Sequence, residues 1–345
     1  MSVRDSIYEV KGNQFRNLPT FAFRVERLSH LTVDKNGTFA HGMANTHILN
    51  EALVGVQLDQ PINIPQDVNI PMHEATIFDV LVEKSRNEGG TGLRTVVQDS
   101  RIVANRAVIA DIGAAKHNLK PSVRLVCGVY QGCVFIKSEN HVGPPTKIGF
   151  VNECIVTKPA KNEPNFLTRP APWHQSYVQA KIELGQYKTG VVTIFLNGQL
   201  DCVDSDGQPI EVKLNKYGLN STALPAWKSS RWFLQSALVD TQFIAVSEYD
   251  AVLDQIVSVK KIHIDQLENG SYALNTVPSW NRHELFAHTK CFFAIVRKLM
   301  LHDLKDKIVV IEKASNDAHF RIVDVVDNRD RLFPTEFTSH FDDLA

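Results

Sequence analysis

The stretch Val191 to Leu214, VVTIFLNGQLDCVDSDGQPIEVKL, reads as two strands joined by a tight turn. The first strand ends in Gln199-Leu200-Asp201-Cys202, and the second is Ile210-Glu211-Val212-Lys213. Between them, Asp204-Ser205-Asp206-Gly207-Gln208-Pro209 supplies residue types that accept turn dihedrals. Side chains alternate faces along a strand. Glu211 and Lys213 therefore point one way and Val212 the other, and pairing of the two strands brings Asp201 beside them. Two carboxylates and an ammonium on one face can hold a divalent metal against a phosphate. Magnesium takes hard oxygen ligands, one or two of them carboxylates, with phosphate completing the shell. Lys213 would neutralise charge developing on that phosphate or orient an attacking water. Two metals about 4 Å apart would clamp both the attacking and the leaving oxygen.

The bulk numbers bound the setting of that site. Of 345 residues, 43% are hydrophobic and 22% charged, ordinary for a globular chain with a large core. The net charge of -1 carries none of the basic surplus that non-specific duplex binding requires. Five cysteines (127, 133, 154, 202 and 291) form no CxxC pair, and an odd count argues against a disulfide framework. The opening MSVRDSIYEV has no apolar signal core. The apolar run at Cys291 to Leu301 is broken by Arg297 and Lys298, so no segment spans a membrane. These features place the protein in the nucleus or cytoplasm.

Outward from the hairpin, the chain offers several candidate parts. Residues 1 to about 70 read as mostly irregular, with strand-like pieces such as Ala52 to Leu58. His73 to Arg86 has helical spacing. Glu88 to Gly92 is a loop without the strand and Lys-Ser/Thr of a phosphate loop. In VVQDSRIVANRAVIADIG, Asp99 or Ser100 is a candidate cap for a helix whose first turn holds Arg101. Leu125 to Ile136 reads as two strands bent at Gln131-Gly132, with Cys127 and Cys133 as core thiols. His141 to Pro145 reads as a loop and Lys158 to Tyr177 as a proline-rich connection. Glu153 is a lone acid in apolar context, a pattern that by itself fits a solvent-facing side chain. Lys228 to Val239 reads as a helix with Lys228, Trp232 and Gln235 along one side. His283 to His302 is a longer helix, and the acidic tail from Asp327 reads as loosely held.

Taken together, these segments resemble the DXO family of decapping and 5′-to-3′ exoribonucleases, with a site of the PD-(D/E)xK type. Asp201, nine residues, Glu211, one residue, Lys213 has the spacing of that site. Gly149-Phe150-Val151-Asn152-Glu153 is similar to the family's Gly-aromatic-x-x-Glu motif. Gln199-Leu200-Asp201-Cys202 is similar to its Glu-x-Asp motif, and Glu211-Val212-Lys213 to its Glu-x-Lys motif. Arg101 resembles its Arg near a helix start. Lys228, Trp232, Gln235 and Ser236 resemble its Lys-Trp-Gln helix. The likeness covers about residues 95 to 250 and is diffuse outside them.

The resemblance implies one mixed α/β domain over residues 1–345, two packed β-sheets flanked by helices. It implies removal of NAD or incomplete caps from RNA 5′ ends, with degradation of the RNA in many members. Glu153, Asp201, Glu211 and the Val212 carbonyl would bind Mg2+ or Mn2+. Lys213 and Gln235 would hold the scissile phosphate or the water, and Arg101 a substrate phosphate. Two departures stand out. Gln199 replaces a glutamate, which removes a full charge and lowers affinity for a second metal. Val246-Ser247-Glu248-Tyr249 replaces a Gly-aromatic-Arg end, setting an acid where RNA phosphates would pass. Three expectations follow: a metal-dependent RNA 5′-end hydrolase, a weakened relative that binds RNA ends or a protein, or a DNA nuclease of the wider superfamily.

Overall fold

Strand Val192 to Leu196 is apolar at nearly every position because it lies in the middle of a sheet covered on both sides. A computed structural model of the protein describes residues 23–34, 36–61, 75–117, 122–139, 147–158, 174–188, 190–216, 218–219, 224–269 and 280–344. The loop expected at His141 to Pro145 lies outside the described residues, as does most of the proline-rich connection before His174.

The strands in chain order are β1 Arg24–Asp34, β2 Phe39–His41, β3 Ile48–Leu49, β4 Gln57–Pro61, β5 Ile102–Asn105, β6 Val123–Tyr130, β7 Cys133–Ser138 and β8 Thr157–Lys158. They continue with β9 His174–Tyr187, β10 Gly190–Leu200, β11 Cys202–Val203, β12 Pro209–Asn215, β13 Phe243–Asp250, β14 Gln255–His263, β15 Ile308–Lys313 and β16 Arg321–Val326. The helices are α1 Ile77–Asn87, α2 Leu93–Val96, α3 Arg106–Ala114, α4 Lys147–Val156, α5 Ala226–Ala237, α6 Asp265–Asn269, α7 Arg282–Lys298 and α8 Thr335–Asp342. The large sheet runs β16-β15-β6-β7-β5-β10-β9-β1-β2, and the small one β4-β14-β13-β12-β11-β3-β8.

Burial explains the layers. On β10, Ile194 and Leu196 face a core filled by Ile109 and Ile112 of α3, Phe233 and Leu234 of α5, and Phe292 and Phe293 of α7. The same core takes Ile244, Val246 and Ile262 from the small sheet, which joins the two sheets. Phe195 faces the other way, toward Phe78 and Leu81 of α1 and Phe337 and Phe341 of α8. The outer face of the small sheet, Ile210, Val212 and Ala245, is covered by Val151, Ile155 and Val156 of α4. The result is the expected mixed α/β arrangement of two sheets with flanking helices.

Three expectations change. The stretch from Val191 to Leu214 is not one hairpin, because β10 belongs to the large sheet while β11 and β12 belong to the small one. Only Cys202 pairs with Ile210 and Val203 with Pro209, so Asp201 stands at the crossing between sheets. The acidic tail is not loose. It folds into α8, and burial of Phe337 and Phe341, 1% and 0% exposed, holds it down. Ala52 to Leu58 is not a single strand: a short 3-10 turn at Glu51–Leu53 precedes β4.

Candidate metal and phosphate site

The change of sheet at Asp201 builds the site. Asp201 cannot continue either strand's ladder, and its carboxylate instead accepts the Val212 backbone N–H through Oδ2 at 2.7 Å. That bond sets Asp201 against β12, where strand alternation puts Glu211 and Lys213 on the inward face. Lys213 Nζ pairs with Glu211 Oε1. Arg106 closes on the same carboxylate with a fork, Nη1 to Oε2 at 2.5 Å and Nη2 to Oε1 at 3.2 Å. Its Nη1 also donates to the Gln235 backbone oxygen at 3.1 Å, which ties α3 to α5 at this point. Glu211 is 1% exposed and Arg106 5%, so this is a buried, bidentate pair. Gly198 on β10 makes room for it: a Cβ there would meet Arg106 Cδ at 3.0 Å and Val239 Cγ1 at 2.9 Å.

Arg101 is not in this cluster. The helix expected to begin at Asp99 or Ser100 begins five residues later, because IVAN forms β5 and Arg106 is the first residue of α3. β5 runs parallel to β10 with Ile102 opposite Ile194. Arg101 is thus level with the start of β10 and, at about 3.3 Å per residue, some 26 Å along the strand from Asp201. Arg106 is the arginine at the helix start, missed because two arginines share the stretch and only a strand over IVAN tells them apart. Arg101→Ala is therefore expected to change stability by no more than about 0.5 kcal/mol and to leave metal binding unchanged, as thermal unfolding and cation titration would read. A loss of metal affinity in that variant would return Arg101 to the site.

Glu153 lies in the last turn of α4, packed over the small sheet. Burial raises its carboxyl well above the usual range, and the charges of Asp201 and Glu211 raise it further, against the pull of Lys213. Burial, then Glu211, pushes Asp201 up to about 6. Burial also acts to raise Glu211, but Arg106 and Lys213 overcome it and hold the group at about 2. Three carboxylates drawn from α4, from the crossing and from β12 thus sense one another. Crowding of like charge in a partly dry site is what a bound cation relieves.

The remaining expected residues fall around this centre. Gln199 is half-buried on β10 opposite Tyr177, two positions before the crossing. Gln235 is 7% exposed, and its Oε1 is buried with no hydrogen-bond partner among the described residues. An orphaned acceptor beside Arg106 suits a ligand group. Glu248 does not stand bare in a phosphate path. It accepts Ser258 Oγ at 3.0 Å across β13 and β14 and packs on Gly218.

Among the described residues, no three His, Cys, Asp or Glu side chains converge as a finished metal shell. In this arrangement Arg106 and Lys213 lie on Glu211, and the Val212 N–H on Asp201. The donors nevertheless fit Mg2+ or Mn2+. All are hard oxygens, a carboxylate offers about four acceptor positions, and Glu211 has spent three and Asp201 one on the bonds named above. Glu153, Asp201, Glu211 and the Val212 backbone would hold the ion, and Glu211 would be shared with its two cations.

No family model matches the chain, and no curated protein sequence does. Solved structures do match. Scheffersomyces stipitis Rai1 in complex with (3'-NADP)+ and calcium ion superposes with a TM-score of 0.69 at 16% identity, over 97% of this chain and 99% of that one. Candida albicans Rai1 in complex with pU5-Mn2+ gives 0.68 at 15% identity, over 94% and 97%. K. lactis Dxo1 in complex with manganese gives 0.62 at 11% identity, over 93% and 96%. Over nearly its whole length, this chain has the fold that Rai1 and Dxo1 share.

Proposed function

We propose that the protein is a metal-dependent hydrolase of RNA 5′ ends, removing NAD or incomplete caps and degrading the RNA 5′ to 3′. The observation that carries this is the placement of Asp201, bonded to β12 at a crossing between two sheets, beside Glu211 and Lys213, with Glu153 near enough for its charge to be felt there. The fold is one whose solved examples hold manganese, calcium and nucleotides. A divalent ion bound there would polarise a phosphoryl oxygen and lower the pKa of a bound water. Glu211 keeps its charge at neutral pH because Arg106 and Lys213 stabilise it. Lys213 offers an ammonium to the phosphate, and Gln235 Oε1 an unspent acceptor to the water or substrate. The Arg106 fork fixes β12 against α3 and α5, so the carboxylate does not wander. We place the protein in the nucleus or cytoplasm, where the thiols of its five cysteines stay reduced.

Gln199 favours a second reading, a relative with weakened catalysis that binds RNA ends or a protein. An amide still donates an oxygen but no charge, so a second cation is held less tightly. One experiment separates the readings. RNAs bearing 5′ NAD, triphosphate, monophosphate or unmethylated cap are incubated with Mn2+ and wild type, Asp201→Ala or Gln199→Glu. Product from wild type and none from Asp201→Ala is expected, with Gln199→Glu faster by about tenfold, the order of one added charge contact (about 1.4 kcal/mol). Silence from wild type with activity restored in Gln199→Glu would establish the weakened relative. Silence from both would sink the hydrolase.

A further inference from the structure

Lys228 sits in the first turn of α5, half-buried, its ammonium 5.2 Å from the centroid of the Trp232 ring. Its Nζ donates to Asn215 Oδ1 at 2.8 Å, and among the described residues no carboxylate pairs with it. Asn215 ends β12, two residues beyond Lys213 and on the same face. It is held in turn: its Nδ2 donates to the Gly218 carbonyl at 2.6 Å. Glu248, opposite Asn215 on β13, packs against Gly218 so closely that a Cβ there would lie 2.8 Å from Glu248 Oε2. Gly218 has φ +55, so the turn depends on glycine twice over. Burial, and then Lys213, lowers the Lys228 ammonium's pKa, which shows two like charges facing one region.

An ammonium held by a neutral amide next to another ammonium is a poor stabilising device. Its charge is left for something else. The charges of the centre agree. Glu153, Asp201 and Glu211 balance Arg106, Lys213 and Lys228, so a bound divalent ion leaves a surplus of two positive charges for phosphate.

We propose that Lys228, aimed by Asn215, joins Lys213 in a two-ammonium subsite for a phosphate of the RNA strand next to the scissile one, with Asn215 and Glu248 as positioning residues. This rests on the site acting on RNA 5′ ends. Glu248, an acid where an arginine was expected, then serves the subsite by clamping the Asn215 turn.

The test is binding of a fluorescent 5′-monophosphate oligoribonucleotide to the full chain with Ca2+, at several salt concentrations, with free AMP as competitor. Lys228→Met keeps the stem over Trp232 and removes the charge. It should weaken binding by about tenfold and reduce the salt slope by about one. Asn215→Ala should do the same, and the double variant should be no worse, because Asn215 acts through Lys228. Asn215→Asp, which keeps an acceptor for Lys228 but neutralises its charge, should also weaken binding. Unchanged affinity and slope in Lys228→Met would overturn the subsite, as would losses that multiply in the double variant. AMP binding as tightly as the oligonucleotide would overturn a strand phosphate, since a mononucleotide fills one position only. If no RNA end is hydrolysed but the binding pattern holds, the hydrolase reading fails and the subsite stands.

Discussion

Glu211→Ala is expected to lower the unfolding free energy by about 3–5 kcal/mol, the range for removing one partner of a buried ion pair. Arg106 is 5% exposed and spends both terminal nitrogens on this carboxylate. Without it the guanidinium keeps only the Gln235 carbonyl and cannot reach water. Arg106→Met together with Glu211→Leu should recover part of that loss, because an apolar pair removes the stranded guanidinium, while Lys213 still loses its partner. Neither protein should bind a divalent cation at the site. Urea unfolding of the two variants reads the result. A loss under about 1 kcal/mol in Glu211→Ala would mean that water reaches Arg106 and that the pair is not a structural tie.

Stabilisation by Mn2+ is expected to grow steeply with pH. Asp201 has an ordinary pKa of 3.8 and about 6 in the fold, because burial and then Glu211 oppose its ionisation. A raised folded pKa means the folded state holds the proton more tightly. The stability this contributes is full below about 4 and is lost as pH rises through about 6. Glu153 is shifted in the same direction. Glu211 has the opposite sign: at about 2 in the fold, its contribution is present above the ordinary value of 4.5 and lost as pH falls toward 2. The metal-free protein should therefore lose stability between about pH 4 and pH 7. A cation that binds ionised carboxylates restores it, by about 2.7 kcal/mol at a hundredfold excess over Kd. Thermal unfolding with and without Mn2+ should differ little near pH 5 and by several degrees near pH 7.5. A shift independent of pH would place the ion elsewhere.

Much of this was legible in the sequence, and the reasons differ by residue. Glu211 and Lys213 follow from strand alternation, which is local. The two packed sheets were expected from the family resemblance alone; the structure adds the physical reason, since the apolar residues of β10 are covered on both faces. The crossing at Asp201 is not local. The run from Leu200 to Cys202 looks like an unbroken strand, and only tertiary pairing decides that β10 and β11 enter different sheets. Arg106 was hidden for a similar reason: four residues of β5 separate two arginines, and a strand that short leaves little periodicity to read. Glu153 looked like a solvent-facing acid by charge and context alone, and only the Gly149-to-Glu153 motif singled it out; its nearness to Asp201 and Glu211 depends on α4 folding over the small sheet. The C-terminal helix was misread because acids dominate the tail, while Phe337 and Phe341, one helical turn apart, do the anchoring.

The central claim is that Glu153, Asp201 and Glu211 form one centre for a divalent cation. Titration of the full chain with Mn2+ at neutral pH, followed by calorimetry and by the loss of free Mn2+ signal in electron paramagnetic resonance, tests it directly. The result predicted is a saturable site in wild type, lost in Asp201→Ala and in Glu153→Ala, and unaffected in Arg101→Ala. Undiminished Mn2+ binding in Asp201→Ala, or no binding in wild type, would contradict it.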